Sequence, residues 1–206
     1  MKKQANRVSI FLVILLLQFS ATRAQNANME YSHLQMDSIL KQGPEYNFID
    51  PMVGKWKAIQ TVYTMDGQRI LSQDTFKLES KMIGNFLQEI MQPIYNSRPA
   101  FTRTSYLNYN RTNQRWEYIV LDTRYPLMMF ETGSSPVSID NSITLNLDAF
   151  VVPPFWGIEY AGMLGRQRRV ITCKKDVTTN EQYWTLPGMK EFLAIKYVFI
   201  KDNTNN

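Results

Sequence analysis

Three acidic residues on three different predicted strands are the side chains of this chain that could carry out chemistry together. Glu89, Asp122 and Glu131 each lie in an apolar or alternating stretch. If two of them pointed into a closed sheet, they could act as a general acid and a general base, because neighbouring carboxyl groups in a buried site acquire different pKa values. Asp122 shares a strand face with the aromatic residues Trp116 and Tyr118. The alternative for Asp122 is a place at the strand end, in contact with water.

The sequence contains no residue pattern that matches a catalytic nucleophile, a metal site or a phosphate-binding loop. The one histidine, His33, precedes the predicted strands, so neither a Ser-His-Asp or Cys-His arrangement nor a metal site is supported. Residues 162–165 contain two glycines but lack the Lys and the Ser/Thr of a phosphate-binding loop. No strand offers a His as an axial haem ligand, and nothing singles out one of the eleven tyrosines. We therefore predict no catalytic residue, no metal site and no cofactor.

Strands are the elements that must position these side chains. The first predicted strand begins at Gly54 and carries Trp56 two positions later, on the same face. A large ring beside a residue without a Cβ atom is a packing device that could plug one end of a closed sheet. Asp66-Gly67 is a strong hairpin signal after this strand, which we take as residues 54–65, and before the next, residues 69–79.

Alternating apolar residues and short polar turns predict the remaining strands. They cover residues 83–92, 101–109, 115–123, 127–132, 142–149, 166–175, 180–185 and 191–201. No long helix follows any strand, which argues against a parallel α/β sheet. The pattern favours an all-β fold, a single antiparallel up-and-down barrel of about ten strands, whose closure removes exposed edges. Residues 153–157 interrupt the pattern, either as a flap over an opening or as a packed loop.

The first 24 residues have the pattern of a secretory signal peptide. A basic start is followed by an apolar run over residues 10–17 and by the small-residue cleavage site Thr22-Arg23-Ala24. The run is shorter than the roughly 20 residues of a transmembrane helix. We expect cleavage and no stable membrane insertion afterwards; an uncleaved anchor is the alternative. The net charge of +5 falls to +1 without the four basic residues of the leader, which removes the argument for a nucleic-acid partner.

The single cysteine, Cys173, excludes an internal disulfide. In an exported chain this suggests a bacterial periplasmic or secreted protein. Apolar residues at near-helical spacing predict a short N-terminal helix; they are Leu34, Met36, Ile39 and Leu40. The predicted organisation is a signal peptide at residues 1–24, an N-terminal segment at 25–49 and a barrel domain at 50–206. The oligomeric state stays open.

Several short motifs, in their order, resemble those of the lipocalin-like (calycin) barrels. They are more similar to an uncharacterised bacterial family of secreted lipocalin-like proteins. The motifs are Gly54-x-Trp56, Gly84 to Glu89, Tyr109-Asn110, Trp116 to Asp122, and Glu131 to Gly133. Asn110 departs from the Asp of the family pattern, and the match covers roughly residues 50–150. The resemblance implies a barrel and, as in many calycins, an Arg (Arg168 or Arg169) stacked on Trp56. It transfers no activity, because none is established for the family.

These observations predict a non-catalytic protein that binds a small apolar or amphipathic molecule inside the barrel. Barrels of this size can enclose one small ligand, in a mostly apolar pocket with a few polar groups. The candidate ligand-binding residues are Trp56, Gln60, Glu89, Tyr106, Trp116, Tyr118 and Asp122. Two alternatives remain: a structural or partner-binding cell-envelope protein with a filled barrel, and an enzyme that uses the barrel carboxylates. A hollow interior would favour the binding protein, and a filled interior would favour the structural protein.

Overall fold

The computed structural model of the chain describes residues 41–94, 100–124, 127–134 and 136–202. The predicted signal peptide at residues 1–24, the helix predicted from Leu34 to Leu40, and His33 lie outside the described residues. All elements below belong to the compact unit Gly43–Asn206. Within the described part of the chain, no helix is both long enough and apolar enough to span a bilayer.

Ten antiparallel strands form a closed barrel in which each strand pairs with its neighbours in sequence and β1 pairs with β10. The strands are β1 (Gly54–Tyr63), β2 (Ile70–Ile83), β3 (Phe86–Pro93), β4 (Arg103–Asn110), β5 (Arg115–Asp122), β6 (Leu127–Gly133), β7 (Ser142–Val151), β8 (Leu164–Lys174), β9 (Val177–Thr185) and β10 (Phe192–Lys201). The predicted all-β up-and-down barrel is confirmed.

Tight turns join several of the strands, and one of them divides a predicted strand. The backbone N–H of Gly67, at φ +71°, donates a 2.7 Å hydrogen bond to the carbonyl oxygen of Thr64, so the predicted hairpin turn is present. The prediction of a strand over residues 83–92 was wrong at its first residues, because Gly84-Asn85 is a two-residue turn between β2 and β3. Gly84 has a φ of +57°, a left-handed conformation that glycine adopts without steric cost.

Alternation sorts the side chains of each strand into an inner and an outer face. In β7, Ile143 and Leu145 are buried whereas Asn146 is exposed, as the sequence pattern predicted. In β5 the inner face carries Trp116, Tyr118 and Val120, all buried. The face that carries Asp122 in the sequence pattern is therefore the inner one.

A short N-terminal helix covers one end of the barrel, which we call the closed end. Helix α1 spans Tyr46–Ile49, and a 3₁₀ helix follows at Asp50–Met52. The rings of Phe48 and Trp116 meet edge to face with centroids 5.4 Å apart. The Nε1 atom of Trp56 donates a 2.9 Å hydrogen bond to the carbonyl oxygen of Met52. The buried Trp56 ring thus packs at the closed end, the place that the Gly54-x-Trp56 pattern indicated.

The barrel wall has its shortest ladder between β6 and β7. Thr132 and Asn146 are ladder partners, and no described residue of β6 before Thr132 pairs with β7. A Cβ atom on Gly133 would collide with the backbone carbonyl of Thr144. Gly133 therefore permits the close approach of the two strands on the side of the closed end.

Candidate functional site

The end of the barrel opposite α1, which we call the open end, contains a cavity of about 490 Å³. Much of its wall is apolar and comes from five strands: Val62, Met129, Leu147, Phe150, Trp184 and Ile195. Met128 and Leu164 also line the cavity and are 67% and 62% exposed, so the cavity reaches solvent. The interior is therefore filled at one end and hollow at the other.

An aromatic group forms one side of the cavity. The buried ring of Trp156, in a 3₁₀ helix at Pro154–Trp156, packs on Trp184 with centroids 4.5 Å apart. Phe150 packs on the same Trp184 ring at 4.7 Å. The Nε1 atom of Trp184 donates a 3.0 Å hydrogen bond to Oε1 of Gln167, which fixes the ring. The segment that the sequence left open as a flap or a packed loop is packed, and its Trp156 bounds the cavity.

The cavity base carries buried polar side chains. Arg103 is 8% exposed, and its guanidinium carbon lies 4.9 Å from the centroid of the Tyr197 ring. The Nε2 atom of Gln60 donates a 2.8 Å hydrogen bond to the Tyr197 hydroxyl. Gln182, 4% exposed, also lines the cavity. Among the residues that the structure describes, neither Arg103 nor Gln182 has a side-chain hydrogen bond or an ion pair.

Arg103 retains its charge despite its burial. Desolvation disfavours the charged form and by itself would lower the pKa of Arg103. The surrounding groups outweigh this effect and raise the pKa of Arg103 above its ordinary value; in order of effect they are Tyr197, Tyr118, Asp122 and Glu89. The cavity base is therefore positively charged at physiological pH, and its nearest carboxylates act from beyond ion-pair distance.

Beneath the cavity, a buried ion pair crosses the interior. The Nε and Nη2 atoms of Arg169 donate to the two carboxylate oxygens of Glu131, each at 2.7 Å, and both side chains are 0% exposed. Asn180 accepts from Nη1 of Arg169 at 2.8 Å, and Nε2 of Gln167 donates to Glu131 at 2.8 Å. These bonds satisfy the charges that burial would otherwise make costly. Glu131 is fully engaged and does not line the cavity.

The other two candidate carboxylates have partners of their own. Glu89 accepts hydrogen bonds from Ser105 at 2.7 Å and from the Tyr118 hydroxyl at 3.4 Å. Burial, reinforced by Glu89, raises the pKa of Tyr118 to about 12, so this hydroxyl stays protonated and donates. Arg124 pairs with Asp122 at 2.6 Å. Desolvation raises the pKa of Asp122, but the bonds from Arg124 outweigh it and hold that pKa below its ordinary value.

The structure places the predicted polar residues in three different places: the cavity, the polar layer beneath it and the outer face of the barrel. Gln60 and Asp122 line the cavity, as the hypothesis of an inner polar group requires. Glu89 and Tyr118 point inward but lie in the polar layer beneath it. Tyr106 is the correction: its side chain lies on the outer face of β4, because its neighbours in the strand point inward.

The predicted aromatic residues lie away from the cavity. Trp56 and Trp116 are 3% and 0% exposed and belong to the packing at the closed end. Trp56 thus packs at one end of the barrel, as the Gly54-x-Trp56 pattern indicated, but neither ring lines the cavity. On the outer face, the Tyr106 hydroxyl accepts a 2.8 Å hydrogen bond from Nε2 of Gln88.

The cation that lies over Trp56 is Lys201, not Arg168 or Arg169. Lys201 Nζ lies 5.4 Å from the centroid of the Trp56 ring, and the two residues are Cα partners in the β1–β10 ladder. Arg168 points outward and pairs with Glu191 at 2.6 Å. Arg169 points inward. At the middle of β8, Arg169 pairs with Glu131 and not with the Trp56 ring.

Sequence reasoning missed most of the polar base. Arg103 begins β4 on the face of two buried residues, Ser105 and Leu107, so a charged residue on an inward face was the available signal. Tyr197 shares the inner face of β10 with buried Phe199, which is the same kind of signal. Gln182 gave none, because both faces of β9 are rich in polar residues.

Comparison with known proteins supports the fold. The chain is similar to the crystal structure of Rv2717c from M. tuberculosis, with a TM-score of 0.54 and 16% sequence identity, over 79% of this chain and 100% of that one. No family model and no curated protein matches the sequence. In the described ranges, no group of three His, Cys, Asp or Glu side chains could hold a metal ion. Fold and site together define a closed antiparallel barrel with a ligand-sized cavity at one end.

Proposed function

We propose that this protein binds one small amphipathic molecule in the open-end cavity, without turnover. The observation that carries the proposal is the cavity of about 490 Å³, with apolar walls above a base of buried polar side chains. Pockets for small molecules measure roughly 300–1,000 Å³ and combine apolar walls with a few polar groups. A filled structural barrel would not need a hollow half, and this favours the binding function over the structural alternative.

The arrangement of the carboxylates supports binding without catalysis. An acid–base pair requires two carboxyl groups that can reach a substrate and exchange protons with it. Glu131 is held by two hydrogen bonds from Arg169, and separating a buried pair of this kind costs about 3–5 kcal/mol. Asp122 does line the cavity, but its bonds from Arg124 keep it ionised.

Export completes the proposal. The basic start, the apolar run and the Thr22-Arg23-Ala24 site support cleavage and release as a periplasmic or secreted binding protein. Membership of the secreted lipocalin-like family is part of the same proposal. Intact-mass measurement of the protein from its own host should give a mass without residues 1–24. A mass that includes them would show an anchored protein.

Titration with a fluorescent amphiphile tests the binding function. We expect saturable binding at one site per chain. Leu147→Trp places a larger side chain in the cavity wall and should weaken binding at least about tenfold, that is by about 1.4 kcal/mol. Asn146→Trp is the matched control, because this neighbouring residue of β7 is exposed on the outer face. No saturable binding to the unmodified protein, or an equal effect of both variants, would contradict the proposal.

A further inference from the structure

The cavity base is built from hydrogen-bond donors that lack an acceptor within the described chain. Arg103 carries five N–H groups and is 8% exposed, and Gln182 carries two and is 4% exposed. Neither side chain has a hydrogen bond or an ion pair among the described residues. The Tyr197 hydroxyl accepts from Gln60, which leaves its own proton available to a further acceptor. All four side chains line the same cavity.

An anion would accept hydrogen bonds from this set of donors. An acceptor inside the cavity would supply the hydrogen bonds that the described part of the protein does not give to these donors. The planar guanidinium fits a carboxylate through two parallel hydrogen bonds. The guanidinium of Arg103 lies against the Tyr197 ring at 4.9 Å, which restricts its orientation.

The surrounding charges favour a single negative charge on the ligand. Asp122 lines the cavity and is ionised through its pairing with Arg124. Glu89 lies in the layer below and acts on Arg103 through space. Arg124 also lines the cavity, but Asp122 pairs with its charge. A ligand with one negative charge would therefore be held by Arg103, whose charge no described carboxylate neutralises within 4 Å. Asp74 lines the cavity as well. A ligand with two negative charges would in addition be repelled by the three carboxylates.

We infer that the ligand is a monocarboxylate with an apolar chain or ring, bound head first. Its carboxylate lies on Arg103, Tyr197 and Gln182, and its apolar part lies along the wall of Phe150 and Trp184. This inference rests on the function proposed above, since it specifies the head group of the same ligand.

Three probes with the same apolar chain separate the head group from the chain: decanoate, decanol and decyl phosphate, each measured at neutral pH by displacement of the fluorescent amphiphile. We expect decanoate to bind at least about tenfold more tightly than decanol and than decyl phosphate. Tighter binding of decyl phosphate would overturn the assignment of a single charge. Displacement by none of the three would contradict the proposed function itself.

Variants test the residues. Arg103→Gln should weaken decanoate binding at least about tenfold and change decanol binding less than about twofold. Gln182→Glu should produce the same selective loss through charge repulsion, and it serves as the test if Arg103→Gln does not fold. Arg168→Gln is the matched control, because Arg168 points outward and pairs with Glu191. Equal affinity of decanoate and decanol, with no selective loss in either variant, would overturn the carboxylate assignment and leave the proposed function standing.

Discussion

The closed end and the open end of the barrel use the same ten strands in opposite ways. At the closed end, Phe48 of α1 packs on Trp116, and the carbonyl oxygen of Met52 in the following 3₁₀ helix accepts the hydrogen bond of Trp56. At the open end, Trp156 and Trp184 stand in the wall of a cavity. The four tryptophans of the chain are thus divided equally between the two ends. The difference teaches that strand alternation decides which side chains point inward, whereas the helix decides which end is filled.

A polar layer separates the two ends. The Arg169–Glu131 pair and its amide partners cross the interior at this level. Polar groups in such a layer hold one another by directed hydrogen bonds and do not collapse into the cavity as apolar side chains could. The cavity therefore has a fixed floor.

The largest expected effect concerns the closed end. Trp56→Ala should lower the free energy of unfolding by about 3–5 kcal/mol, the usual cost of removing a large buried aromatic ring. Trp56 is 3% exposed and its Nε1 is bonded to Met52. Chemical denaturation measures the loss. A variant as stable as the unmodified protein would contradict the closed end as the stable part of the barrel.

A smaller effect is expected where β6 and β7 approach each other. Gly133→Ala should cost about 1–3 kcal/mol, because the new Cβ collides with the backbone of Thr144 and not with a flexible side chain. Gly162→Ala is a useful reference: nothing lies within 4 Å of a Cβ there, so only the strain of its φ of +82° remains. Thermal unfolding of both variants checks this. The close approach at Gly133 would be disproved by an unchanged melting temperature.

Ligand binding should respond only to changes at the open end. Trp184→Phe should weaken binding of the fluorescent amphiphile by about 0.5–1 kcal/mol, through lost aromatic contact. Tyr118→Phe is the control within the polar layer, because its ring does not line the cavity, and it should leave the affinity unchanged. A loss of affinity in Tyr118→Phe, with none in Trp184→Phe, would place the ligand deeper than the cavity.

The smallest effect is a pH dependence at the rim. The folded-state pKa of Asp122 lies below its ordinary value of 3.8, because the bonds from Arg124 outweigh desolvation. Its ionisation therefore stabilises the fold fully above that ordinary value, and this contribution is lost as the pH falls through the folded-state pKa. Asp122→Asn should be less stable than the unmodified protein at neutral pH, and the difference should shrink in acid. A difference that is constant with pH would contradict the pairing.

The sequence was sufficient to predict the fold class, because turns and alternation are local signals. The outward face of Asn146 and the burial of Cys173 follow directly from alternation in β7 and β8. The inward orientation of Asp122 could also be predicted from alternation in β5. Tyr106 was misplaced because its ring and hydroxyl suit either face of a strand.

The cavity itself could not be predicted from the sequence. Its position depends on which end α1 fills, and α1 makes contacts such as that of Phe48 with Trp116, far apart in the chain. Whether the Arg103 side chain finds a hydrogen-bond partner depends on residues of several strands that are far apart in the sequence. Alternation specifies the face of a residue but not its level along the barrel axis, which is why Trp116 was assigned to the ligand and belongs to the closed end.

Indole ¹⁵N NMR of the four tryptophans tests the central claim, that the ligand binds at the open end alone. The signals are assigned with single Trp→Phe variants and followed as the fluorescent amphiphile is added. We expect the indole signals of Trp156 and Trp184 to shift and saturate together, while those of Trp56 and Trp116 stay in place. Shifts at Trp56 and Trp116 with none at the other two, or no shift at any of the four, would contradict the account.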